Sequence, residues 1–284
     1  MDADTIFNKI WIIESLRPGD LETGKSLYNE VLLPVAQRES SLKISLECPT
    51  NKSEFFEILN KIKNEANSGL YPIIHFECHG SENGLQLTSG EIVEWDHLRK
   101  FLIQINIASH LNTVIVVAAC NGIHLINVSM KMDRAPFWAV IGPTEEISQN
   151  LIDRDFKAFY TTFFETLSGD EAVKALNANS PNGKRLYHFR SAPALFIRAF
   201  KQFYKTQCIG KGKKKRIENL LTMSLTIPKI QQNGITWARN QIKTSLKDED
   251  YSNIRDRYFM IDLYPENSDR FDINFNNIIE QIES

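Results

Sequence analysis

The stretch YPIIHFECHGSENGLQL, residues 71–87, decides how the chain is read. Pro72 to Phe76 is an apolar run of the kind that sits inside a sheet, and such a strand ordinarily hands over to a turn of Asn, Asp or Gly. Here it delivers Cys78, His79 and Gly80 and then breaks into polar chain. Open α/β sheets place their chemistry at the carboxyl ends of their strands, so an imidazole at that position asks for a partner elsewhere in the sequence. Alternation puts Cys78 on the face opposite His79, in the core. His75, inside the apolar run, reads as a buried histidine with its hydrogen bonds satisfied.

Outward from this stretch, apolar runs alternate with helix-period segments. KIWIIES (9–15), LKISLEC (42–48), NTVIVVAAC (112–120) and PFWAVIG (136–142) read as strands. Helices are expected from Asp20 to about Leu33, Ser53 to Asn67, Trp95 to Ser109, after Gly142-Pro143 to Leu167, and from Asp170 to Asn177. GLQLTSGEIVEW (84–95) reads as a small hairpin turning at Ser89-Gly90. Such alternation implies an α/β fold, a mostly parallel sheet flanked by helices on both faces.

NANSPNGKRLYHF (177–189) turns to Asn, Pro, Gly and Ser and marks a domain edge. The expected division is a sheet domain over 1–180 and a mainly helical C-terminal extension over 181–284. In the extension, 192–207 reads as an amphipathic helix, and the basic run GKGKKKR (210–216) as a solvated linker. An acidic partner or a protease-sensitive loop are the run's functional alternatives. YFMIDLYPENSDRF (258–271) reads as a strand and a turn.

Bulk properties narrow the classes. Of 284 residues, 42% are hydrophobic and 24% charged, with a net charge of −2, which gives no global case for nucleic acid or a membrane. No apolar run approaches the roughly 20 residues of a bilayer span, and MDADTIFNKIWII lacks the pattern of a secretory signal. Cys48, Cys78, Cys120 and Cys208 form no CxxC pair and read as free thiols of a cytoplasmic protein.

Cys120 is the partner His79 asks for. It ends the most apolar strand, and Cys120-Asn121-Gly122 matches the turn chemistry of His79-Gly80-Ser81. If the two strands are neighbours in a parallel sheet, their ends lie about 5 Å apart. Imidazole can then activate thiol by taking its proton. The amides of Gly80 and Cys120 are candidate donors to an oxyanion. This is the constellation of a cysteine peptidase.

HFECHGSENGLQL, VIVVAACNG and FWAVIGPTEEISQNLID, in that order, resemble the caspase-like cysteine peptidases, nearest to the bacterial caspase-like and CHAT-domain peptidases. The likeness covers roughly residues 8–178. It implies His79 as base, Cys120 as nucleophile, no metal or organic cofactor, and one specific protein substrate rather than general digestion. Regulated death or immunity, with a gasdermin-like or other effector as substrate and an upstream activator or sensor, is the family-level expectation. Arg17 in SLRPGD matches the pocket arginine of caspases. Two positions depart from the pattern. Ala118 stands where caspases proper have a pocket glutamine, and the loop after VIG carries Glu145, Glu146 and Gln149 where CHAT members often carry aspartate. Aspartate specificity is therefore not implied, and Glu145 and Glu146 become candidates for a pocket favouring a basic side chain.

Three rival readings stay open. One is a catalytically silent caspase-like binding or scaffold protein. Another is a phosphate loop, since Gly19-Asp20-Leu21-Glu22-Thr23-Gly24-Lys25-Ser26 matches GxxxxGKS after a strand, although Asp20 and Glu22 would repel phosphates. The third is zinc, because His75, Cys78, His79, Cys120 and His124 have the residue types but alternate faces along a strand.

Overall fold

The computed structural model describes residues 5–180, 184–247 and 249–283. β1 (Lys9–Ser15) is buried along its whole length, and β2 (Lys43–Glu47), β3 (Pro72–Gly80), β6 (Val114–Ala118) and β7 (Ala139–Pro143) run parallel with it in the order β2-β1-β3-β6-β7. β8 (Tyr187–Ser191) closes the β7 edge antiparallel. β4 (Gly84–Gln86) and β5 (Ile92–Glu94) form the expected hairpin, and β4 pairs with the last two residues of β3.

The helices of this unit are α1 (Thr23–Leu27), α2 (Leu33–Arg38), α3 (Lys52–Asn67), α4 (Trp95–Ala108), α5 (Leu125–Ser129), α6 (Gln149–Thr166) and α7 (Gly169–Asn177). α8 (Ala192–Phe203) follows β8. Helix ends follow local chemistry: Asn51 caps α3 by accepting from Glu54 N at 3.1 Å, while Glu54 accepts from Thr50 N at 2.7 Å. One sheet face packs Trp11, Ile13, Ile74, Phe76, Ile115 and Val117 against the apolar stripes of α3, α4 and α5. Each such side chain, fully buried, contributes about 1.5–3 kcal/mol. The other face carries polar groups and meets α1 and α6 through Glu14, His75 and Glu77.

The α/β architecture is as the sequence implies, and several local expectations are corrected. The chain divides into compact units at Leu195/Phe196, because Tyr187–Ser191 is a sheet strand rather than part of a linker. Residues 181–183 of that stretch lie outside the described ones. In the second unit, the basic run opens a helix, α9 (Gly210–Ser224), whose Ile217 and Leu221 are buried. The run 258–271 is no strand: α12 (Ser252–Tyr258) ends in turns leading to α13 (Asn267–Arg270). Its apolar residues serve an aromatic core of Phe196, Phe200, Tyr258, Phe259, Phe271 and Phe275. α10 (Pro228–Asn233), α11 (Ile235–Ser245) and α14 (Phe275–Glu283) complete this unit. Among the described residues, no helix is long and apolar enough to cross a membrane.

Candidate functional site

β3 and β6 are hydrogen-bonded neighbours, in register Glu77↔Ala118. Two residues further on, His79 and Cys120 stand at the carboxyl ends of the two strands. Cys78 and Ala119 both belong to the core cluster on the α3/α4 face. Alternation therefore assigns His79 and Cys120 together to the opposite face. The strand ends also close on each other. A Cβ on Gly80 would lie 2.1 Å from the Cys120 carbonyl oxygen and 2.9 Å from Ala119 Cβ, so only glycine fits. Beyond Cys120 the chain reverses at Asn121, whose φ of 57° is left-handed, a region Asn tolerates better than most residues. Gly122 follows because a Cβ there would meet Val117 Cγ1 at 2.6 Å.

His79 is held by Asp20, a residue of the GxxxxGKS match. His79 Nε2 lies 2.7 Å from Asp20 Oδ2, and Arg17 N donates to the same oxygen at 2.8 Å. The side chains are 32% and 23% exposed, so the pair sits at a rim open to solvent. The hydrogen bond from His79 holds the Asp20 carboxyl below the ordinary aspartate value. With Nε2 engaged, Nδ1 is the ring nitrogen left for other chemistry. The pointer to Asp20 was its place in the loop after β1, the strand beside β3, but strand order is not written in the sequence.

Cys120 is half-buried and lies against the loop after β7. Ile147 N donates to Sγ at 3.5 Å, the thiol reaches Ile147 O at 3.6 Å, and Asn121 N donates to Glu145 O at 3.3 Å. Among the described residues, no hydrogen bond joins His79 to Cys120. The turn's own bonds run from Gly122 N to Ala119 O and from His124 N to Asn121 O, and do not use the Cys120 amide.

The remaining candidates fall in different places. Arg17 bonds the side chain of Gln86, the β4 residue paired with His79. Ala118 is buried inside β6. Glu145 pairs with Lys184, and Glu146 is exposed. A cleft of about 850 Å³ opens beside Asp20, lined also by Arg17, Glu22, Lys25, Cys48 and Thr88.

Beneath the site lies a buried polar chain. His75 bonds Tyr160 Oη at 3.2 Å and Glu77 Oε1 at 2.9 Å, and Thr23 Oγ1 donates to Glu77 Oε2 at 2.8 Å. His75 is thus the satisfied core histidine its position implies. Beside it, Glu14 Oε2 accepts from Gly24 N at 2.8 Å and Lys25 N at 3.1 Å, and burial pushes its carboxyl up. These are the amides a phosphate loop would offer to phosphate. Their commitment to Glu14 removes the geometric basis of the nucleotide reading. Burial likewise pushes the Cys78 thiol up. Among the described residues, no group of three or more His, Cys, Asp or Glu is placed to hold a metal ion.

Compared with known proteins, the chain matches no family model and no curated sequence.

Proposed function

We propose that the protein is a cysteine endopeptidase of caspase-like type in which Cys120 is the nucleophile and His79 the base. The observation that carries this reading is the pairing of β3 with β6, which brings an Asp-held imidazole and a half-buried thiol to the same end and face of one sheet. In the reaction, His79 takes the thiol proton as Sγ attacks the scissile carbonyl. The imidazolium returns that proton to the leaving amine, and water then releases the acyl group from sulfur. Asp20 positions the His79 ring through its hydrogen bond to Nε2. The Ile147 amide, directed at Sγ, helps hold the sulfur in place. The amides of Gly80 and Cys120 serve the oxyanion, and Arg17, bonded to the Gln86 side chain beside His79, contributes to substrate binding.

The substrate is one specific protein rather than a broad set, an effector of a death or immunity pathway cut once for activation. A catalytically silent caspase-like binding protein is the second reading, and the absence of an imidazole–thiol bond among the described residues favours it. Apo sites often tighten only around substrate, which leaves the peptidase reading ahead.

The test is labelling with a library of peptidyl electrophiles, mapped by mass spectrometry. Peptide-dependent adducts confined to Cys120 and lost in His79→Ala support the peptidase. Adducts spread over the accessible thiols without regard to peptide or to His79 would reject it.

A further inference from the structure

The second unit carries a charge pattern unlike the rest of the chain. Residues 210–247 hold nine Lys and Arg against one acid, Glu218, a net of +8 in a chain whose total is −2. From 219 to 247 there is no acidic residue at all. This segment is α9, α10 and α11, and its fold separates charge from apolar surface. Gln231 Nε2 donates to Leu225 O, which seats α10 at the carboxyl end of α9. Gly234, at φ 83°, then turns the chain into α11. Arg239 of α11 pairs with Glu218 of α9 at 3.0 Å, and Ala238, Ile217 and Leu221 are buried. The chain has therefore doubled back, making an antiparallel helical hairpin.

Its tip is apolar. Met223, Leu225, Ile227 and Ile235 are 78%, 42%, 48% and 53% exposed, and α10 buries none of its residues. Its stem is basic. Lys211, Lys213, Lys214 and Lys215 lie in the first turns of α9, and Lys243 and Lys247 run back toward them along α11 and its end. Among the described residues these six have no ion-pair partner; the stem's paired cations are Arg216, with Glu249, and Arg239. Lysines there oppose the helix dipole, and four large aliphatic side chains left in water weaken a small fold. Local stability explains neither feature.

We propose that this hairpin is a docking element for an anionic lipid surface, with the tip entering the headgroup layer and the lysines meeting lipid charge. The acid-free tip can leave water without desolvating a carboxylate, and a bilayer accepts scattered aliphatic side chains without shape complementarity. Lysines near such a surface each strengthen binding about fivefold. Nucleic acid would use the lysines and leave the aliphatic tip without a partner, so it fits less of the surface. The mode is peripheral, since no described helix spans a bilayer.

The experiment is co-flotation of the full chain with phosphatidylcholine vesicles, alone or with about one third phosphatidylserine, beside gel shifts with duplex DNA and single-stranded RNA. One variant combines Met223→Ser, Leu225→Ser, Ile227→Ser and Ile235→Ser; another combines Lys213→Gln, Lys214→Gln, Lys215→Gln and Lys243→Gln. All eight positions lie outside the buried core, and circular dichroism checks each fold. Flotation with the anionic vesicles only, lowered at least about tenfold by either variant, is the expected result. Absence of flotation by the folded wild type overturns the proposal. So does flotation unchanged by the apolar substitutions, or a gel shift stronger than lipid binding and indifferent to them, which would assign the stem to nucleic acid.

Discussion

Substituting Gly80 by alanine tests the closure of the two strand ends. The added Cβ would stand 2.1 Å from the Cys120 carbonyl oxygen, with Ala119 Cβ at 2.9 Å and Cys120 C at 3.1 Å. An ordinary carbon–oxygen contact is about 3.3 Å, so β3 and the Cys120 turn must part by about 1 Å. Both neighbours at closest range are backbone or a buried side chain, so no flexible group can swing aside. Overpacking of this kind costs about 1–3 kcal/mol, a fall in Tm of about 2–12 °C for a unit of this size. A displacement near 1 Å costs about a hundredfold where two groups must meet in one geometry, and the His79-dependent part of Cys120 alkylation should fall by that order. Gly90→Ala is the control. Gly90 has φ 87° with open space around it, so alanine there costs about 1–2 kcal/mol of backbone strain and leaves Cys120 reactivity alone. Thermal unfolding and mass-resolved iodoacetamide kinetics read both effects. Wild-type Tm and wild-type Cys120 kinetics in Gly80→Ala would refute the described contact.

Further predictions concern the groups around the site. Glu77→Ala strands Thr23 Oγ1 and His75 Nε2 in the interior and should cost about 3–5 kcal/mol by denaturant unfolding. Glu77→Gln, which keeps hydrogen-bonding capacity, should cost clearly less, and equal losses would contradict the network. Asp20 titrates below the ordinary aspartate value of 3.8 in the folded chain. Its contribution is therefore present above about pH 4 and lost as pH falls through the lowered value. The Tm difference between wild type and Asp20→Asn should accordingly shrink below pH 4, and a difference constant with pH would count against the His79 pairing. Because Glu14 occupies the amides of Gly24 and Lys25, magnesium-ATP should leave Tm unchanged. A reproducible rise would reinstate the phosphate-loop reading.

Much of the sheet was legible because buried parallel strands announce themselves as apolar runs, and each run here ends in turn chemistry. That the strands ending at His79 and Cys120 are neighbours was an expectation raised by their matching turn chemistry, and β3 and β6 do pair. The role of Asp20 could not be inferred, because it depends on β1 lying beside β3, and a GxxxxGKS match supplied a competing meaning for the same residues. The buried amides show why that match misleads: a glutamate one strand-end away satisfies them as a phosphate would. β8 was missed because its five residues follow a Pro/Asn/Gly-rich stretch and only Tyr187 is fully buried, so no apolar run marks it. The segment from Tyr258 failed differently. Short apolar runs look alike in strands and in buried helical turns, and here Phe259 and Met260 are buried at a turn where Met260 has φ 58°.

The central claim is that His79 governs the thiol of Cys120. Its most direct test is the iodoacetamide alkylation rate of Cys120 at neutral pH, resolved by mass spectrometry in wild type, His79→Ala and Asp20→Asn, with exposed Cys48 as internal reference. The account predicts that Cys120 reacts faster than Cys48 in the wild type. It predicts at least about a tenfold loss in His79→Ala, a smaller loss in Asp20→Asn, and no change at Cys48. Cys120 rates that are the same in all three proteins would contradict it.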